Sequence, residues 1–168
     1  MAVSQLDALN RAPVEQAAGW LAACNASRRW IQQVLAGRPY RDTATLLSAA
    51  DRAARELDWD EVRQALNAHP GIGERAEGQG TEARWSRNEQ AAVAGSDEAV
   101  RRALRDGNAA YQQRFGHVFL IRAAGRSAEE MLAELHRRLG NDERSERAEV
   151  TGELAQITRL RLERLLAR

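Results

Sequence analysis

The chain has 168 residues, 25 basic and 24 acidic side chains, a net charge of +1 and 43% apolar residues, which suits a single domain able to bury a core without staples. Every basic residue is an arginine, and the arginines alternate with carboxylates instead of forming the one-sided stripe that tracks phosphates, so no nucleic-acid partner is expected. The one cysteine, Cys24, can form no internal disulfide and fits a reducing compartment. No basic n-region with a long apolar run opens the chain, no stretch is apolar for long enough to span a bilayer, and the closing "LLAR" is not a peroxisomal address. A soluble cytoplasmic protein is expected, with no membrane partner.

Apolar residues recur every three or four positions and β-branched runs are nearly absent, which predicts an all-α, single-domain bundle of about eight helices over 1–168. The predicted helices are 13–23, 28–36, 43–56, 59–68, 87–94, 98–115, 128–139 and 143–167. Start signals support several of them. Asp42 precedes "TATLL", Asp58 precedes "WDEV", Ser127 stands three residues before Glu130 as in a capping box, and Asn141-Asp142 lead into the last helix. Two breaks interrupt the pattern. The first, 71–81, is rich in glycine; the second holds "GHVFLIRAAG", an apolar run without helical period that reads as strand-like or extended, with no evident pairing. Both are short, and both are better placed to line a site than to link domains.

Three positions carry chemical interest on the pattern alone. His69 precedes Pro70, whose ring pushes the preceding residue out of helical geometry, so a helix should end there with the imidazole at a rigid corner. Such a corner suits a proton-transfer group and equally suits an ordinary loop. Ser86 and Glu89 form an S-x-x-E capping box in "WSRNEQAAVAG", and the box by itself accounts for the pair; the alternative is a carboxylate fixed in the first helical turn and aimed at the same site as His69. On the last helix Val150, Leu154, Ile157 and Leu165 share a face, and Arg161 falls in the middle of that stripe while Arg159 points to the wet side. Periodicity favours a structural ion pair or a guanidinium that snorkels to water, with an anion receptor as the sharper alternative, because the planar fork grips a carboxylate bidentately.

Other motifs are weak. "GIGERA" spells G-x-G-x-x-A, but a helix precedes it where a dinucleotide fingerprint requires a strand. His117 and His136 show no ligand spacing with His69, which leaves little support for a metal. No G-x-S-x-G elbow is present either.

The chain resembles the 2-oxo-4-hydroxy-4-carboxy-5-ureidoimidazoline (OHCU) decarboxylases of urate breakdown along essentially its whole length. The marks are "LNRAPVEQAAGWLAAC", "RPYRDTATLLSAA", "LNAHPGIGERA", "WSRNEQAAV", "NAAYQQRFGHVFLIRAAGRSAEEMLAELHRRLGND" and "ITRLRLERLL", in this order and spacing. Two departures touch the pocket wall: Val118 stands where the family usually has proline, and Gly71-Ile72 where aspartate-leucine is common. The resemblance implies an all-helical fold, a homodimer, no cofactor and no metal. It places the catalytic histidine on His69, the essential glutamate on Glu89 and the substrate-gripping arginine on Arg161, with Ser86, Gln90, Pro70 and the backbone near Phe119 and Ile121 as further contacts.

The implied substrate, OHCU, carries a carboxylate and a hydroxyl on one ring carbon beside a ring C=N bond. Loss of CO2 leaves an electron pair that this C=N accepts, so the substrate contains its own electron sink. The protein then supplies position, charge stabilisation and a stereospecific proton, with (S)-allantoin as the implied product. Two rival readings stay open: a non-catalytic helical interaction module that kept the fold, and an enzyme acting on a related ureido acid.

Overall fold

The computed structural model describes residues 2–69, 84–85, 87–88 and 91–168. Among the described residues there are nine helices and no strand: α1 (Gln5–Arg11), α2 (Val14–Ala22), α3 (Arg28–Ala36), α4 (Thr43–Arg55), α5 (Trp59–Leu66), α6 (Ala91–Ala94), α7 (Glu98–Phe115), α8 (Ala128–Leu139) and α9 (Glu143–Leu166). The expected all-α class holds. Helices α3, α7 and α8 start and stop where the sequence places them, because each has a polar cap that takes up a free amide: Ser27 accepts from Trp30 N, Asp97 from Val100 N and Ser127 from Glu130 N. Gly116, at φ 80°, ends α7 in the left-handed geometry that glycine adopts freely.

Two elements differ from expectation. α1 was not predicted; Ser4 caps it, accepting from Asp7 N and donating to Asp7 Oδ2. The predicted 87–94 helix is described as α6, Ala91–Ala94, with Arg84, Trp85, Arg87 and Asn88 also helical.

The chain divides into two compact units, Met1–Ala65 with Leu154–Arg168, and Leu66–Glu153. In the first unit α2 packs on α3 and α3 on α4. Trp30 is fully buried there and donates from Nε1 to Ala50 O at 3.0 Å. The α3–α4 connection is tied to α1 in both directions, since Asn10 Nδ2 donates to Tyr40 O at 2.9 Å and Tyr40 N donates to Asn10 Oδ1 at 2.8 Å. In the second unit α7 packs on α8 around Leu104, Tyr111, Met131 and Leu135. Gly107 permits that approach, because a Cβ there would lie 2.5 Å from Leu135 Cδ2. "GHVFLIRAAG" leaves α7 as an irregular segment without ladder pairing, and Phe119, Leu120, Ile121 and Ala123 are buried.

Candidate active site

The predicted site residues fall in three groups. Pro70, Ser86, Glu89 and Gln90 lie outside the described residues, as do Gly71 and Ile72. His69, Phe119 and Ile121 belong to the second unit, and Arg161 belongs to the first.

His69 sits in a bend just past α5, half-buried, with its backbone N–H donated to Leu66 O at 2.9 Å. The helix stops at Leu66 and the bend follows, which is the exit that the His-Pro pair predicts.

Arg161 is 2% exposed, on the buried stripe of α9 with Val150, Leu154 and Ile157. A side chain enclosed to that degree does not snorkel. Its Nη1 donates to Ala23 O at 3.2 Å, and one turn earlier Thr158 Oγ1 receives a 3.2 Å bond from Asn25 Nδ2. Together they clamp the corner at 23–27 to the last helix. Asn25 Oδ1 accepts Ser27 N at 2.9 Å, and Ser27 Oγ accepts Trp30 N at 3.2 Å while donating to Glu61 Oε2 at 3.1 Å. Beside this clamp, burial pushes the Cys24 thiol up to about 12, against the opposing pull of the Arg161 and Arg168 charges. Arg159 is exposed, as the periodicity requires.

Phe119 and Ile121 stand in one buried segment whose backbone is engaged at alternate residues. Leu120 O accepts from Arg138 Nη1 at 2.7 Å, and Arg122 N donates to Glu153 Oε2 at 2.9 Å. Among the described residues no hydrogen bond engages the N–H or C=O of Phe119 or Ile121, which are 1% and 3% exposed. Neighbouring residues of an extended chain direct their polar groups to opposite edges, and the bonding here follows that alternation. Buried peptide groups are almost always paired, so this edge is chemically suited to a polar ligand. Val118, at the family's usual proline position, offers its carbonyl 3.1 Å from His117 Nδ1.

The sequence reading missed the group that holds this segment from behind. Arg138 and Glu146 form an ion pair with side chains 1% and 0% exposed; Nε and Nη2 of Arg138 lie 2.8 and 2.5 Å from Glu146 Oε1. Tyr111 donates its hydroxyl to the same oxygen at 2.5 Å, and Asn141 Nδ2 donates to Glu146 Oε2 at 3.0 Å. Burial and the bond to Glu146 push the Tyr111 phenol up, so it stays a donor. The Arg138 guanidinium also lies 4.5 Å from the centroid of the Phe119 ring. A signal for this group was present: Arg138 continues the buried stripe of Met131 and Leu135, and Glu146 lies one turn before Val150. These are charges of opposite sign on two apolar stripes.

Among the described residues no three histidine, cysteine, aspartate or glutamate side chains group to hold a metal ion, and no described helix is long and apolar enough to cross a membrane.

The family model described as OHCU decarboxylase matches residues 10–163, through both units. Among curated proteins, the chain is 30% identical over 135 residues to a 2-oxo-4-hydroxy-4-carboxy-5-ureidoimidazoline decarboxylase of Amia calva, covering 79% of this chain and 77% of the relative. It is 27% identical over 134 residues to a protein of the same name from Haloferax volcanii, covering 79% of each. Among solved structures, OHCU decarboxylase in the presence of (S)-allantoin superposes with a TM-score of 0.76 at 24% identity, over 90% of this chain and 99% of the other. At that identity the likeness establishes the fold.

Proposed function

The chain belongs to the OHCU decarboxylase family, and on that premise we propose that it converts OHCU to (S)-allantoin and CO2 in urate degradation, as one functional domain spanning 1–168. The observation that carries this reading is the family match from residue 10 to residue 163. In the reaction the C–CO2 bond breaks and its electron pair enters the adjacent C=N. A proton is then added at the ring carbon bearing the ureido group, and that addition sets the stereocentre.

Three side chains carry the chemistry in this proposal. His69 exchanges a proton with the hydroxyl on the carboxylate-bearing carbon as the bond breaks; its place at a backbone-anchored bend supports the role, since a base must be held in position before its pKa matters. Arg161 grips carboxylate or carbonyl oxygens of the substrate, a task suited to a buried guanidinium with several donors in one plane. Glu89 orients the ureido or ring N–H groups, a role compatible with its capping position. Ser86, Gln90 and Pro70 complete the contacts, and the peptide edge of Phe119 and Ile121, unengaged among the described residues, supplies backbone donors and acceptors. The protein uses no cofactor or metal, because the substrate's own C=N takes the electrons. It works as a homodimer in the cytoplasm, which the family resemblance and the single buried thiol support.

The test is to follow optical rotation while freshly generated OHCU is consumed, with and without protein and with and without EDTA. The expected outcome is accelerated formation of the (S) enantiomer, indifferent to chelator. A racemic product at an accelerated rate would remove stereocontrol from the site, loss of activity in EDTA would reveal a required metal, and no acceleration would leave the interaction-module reading.

A further inference from the structure

We infer that Arg138 and Glu153 are positioning residues for the substrate's backbone contacts: together they hold the segment 118–123 by its even-numbered peptide groups, so that the peptide groups of Phe119 and Ile121 face the substrate. The inference rests on the proposed OHCU reading and adds to it residues that touch no substrate.

Two bonds engage the even-numbered edge. Arg138 Nη1 holds Leu120 O at 2.7 Å and Glu153 Oε2 holds Arg122 N at 2.9 Å. These are charge-assisted bonds, stronger and shorter than the peptide–peptide bonds of an ordinary ladder. Each holder is itself fixed. Arg138 is locked by Glu146, whose Oε1 also takes the Tyr111 hydroxyl. Glu153 receives Arg126 Nη2 on its other oxygen at 3.2 Å, and its side chain is 13% exposed. Tyr111 also meets the Phe119 ring edge-on, with centroids 5.2 Å apart. A segment held in this manner has little freedom to rotate about its axis, and rotation is the motion that would turn the Phe119 and Ile121 edge away from a ligand. An irregular segment needs such holders, since no neighbouring strand fixes its register.

A purely structural role and a positioning role separate experimentally. A merely destabilised enzyme loses active molecules, which lowers the apparent maximal rate but leaves KM and the product's handedness alone. A mispositioned edge raises KM and weakens facial control of protonation. The experiment compares full-length wild type with Glu153→Ala, Glu153→Gln and Arg138→Lys, measuring KM for OHCU, enantiomeric excess corrected for the spontaneous reaction, and amide hydrogen exchange of the peptide containing 118–123. Glu153→Ala should raise KM about tenfold, the scale of one charged hydrogen bond, lower the enantiomeric excess and speed exchange in that peptide. Glu153→Gln retains an acceptor for Arg122 N and should recover most of the difference. Arg138→Lys keeps the charge opposite Glu146 but cannot fork between it and Leu120 O, and should shift the same three readouts in the same direction. If Arg138→Lys does not fold, the Glu153 pair decides the matter by itself. Unchanged KM, handedness and exchange in a wild-type-active background would overturn the inference and leave the OHCU reading standing. Failure of the wild type to consume OHCU would sink that reading first, and the positioning role with it.

Discussion

The corner at 23–27 and the segment at 118–123 are both buried, both irregular, and each is held at a backbone carbonyl by a buried arginine, Arg161 on Ala23 O and Arg138 on Leu120 O. They are finished differently. At the corner, Cys24 N and Asn25 N return to Leu21 O, Ser27 N goes to Asn25 Oδ1, and the Asn25 amide reaches Thr158. In the segment Leu120, Arg122 and Ala123 are engaged, and among the described residues Phe119 and Ile121 are not. Packing and closure of polar groups usually go together; where two buried peptide groups take no partner among the described residues, their edge is a place for function. The arginines cross that division. Arg138 holds the segment from within its buried ion pair with Glu146, while Arg161 holds the corner and, in the proposed function, also grips substrate.

Substitutions in the proposed site and in the corner separate function from structure. The largest effect belongs to His69. His69→Asn should lower turnover by about 10²–10⁴-fold, the usual worth of a general acid or base, with circular dichroism and melting temperature nearly unchanged; wild-type turnover in the folded variant would remove His69 from the mechanism. Next comes Arg161, which stands on both sides of the comparison. Arg161→Lys keeps a cation but loses the planar fork, so KM should rise about 10- to 150-fold, matching 1.5–3 kcal/mol for a charged hydrogen bond. A variant that unfolds with KM unchanged in the surviving fraction would make Arg161 a clamp and nothing more.

Asn25→Ala tests the corner. It strips the partner from Ser27 N in a fully buried corner and should cost about 1–3 kcal/mol in denaturant unfolding, with KM within about twofold of wild type. A KM shift as large as that of Arg161→Lys would make the corner part of the site and dissolve the distinction. The smallest effect concerns Cys24, whose thiol burial holds at about 12. At pH 8 a disulfide reagent should leave the folded protein unmodified and react once denaturant is added. The sign follows from linkage: a raised thiol pKa favours the neutral folded form, so its contribution is intact below about 8.5, the unfolded value, and fades as pH climbs towards 12. Rapid labelling of native protein would show the corner to be open.

Much of this was legible in the sequence, and the exceptions have physical causes. Helices with a strong cap and a stop, such as α7 between Asp97 and Gly116, were readable to the residue because both ends carry local chemistry. α1 escaped because its seven residues are too few to show a period, although Ser4 and Asp7 carry a cap signature. Arg161 stood out as a charge on an apolar stripe, while Arg138 passed unnoticed although it lies on a stripe of the same kind. The difference lies in the partner: Glu146 lies eight residues from Arg138, across a turn that no helical spacing rule spans. The alternating bonds of 118–123 depend on side chains from α8 and α9, and no pattern within the segment announces them. For Glu89 and Ser86 the capping box explained the residues fully, which is why chemistry at that position entered only through the family.

The length of α9 has a consequence for cooperativity. This helix runs unbroken from Glu143 to Leu166, and the unit boundary falls between Glu153 and Leu154 in its middle. Helices are costly to nucleate and cheap to extend, so once one turn of these 24 residues has formed, the remainder is added at little further cost.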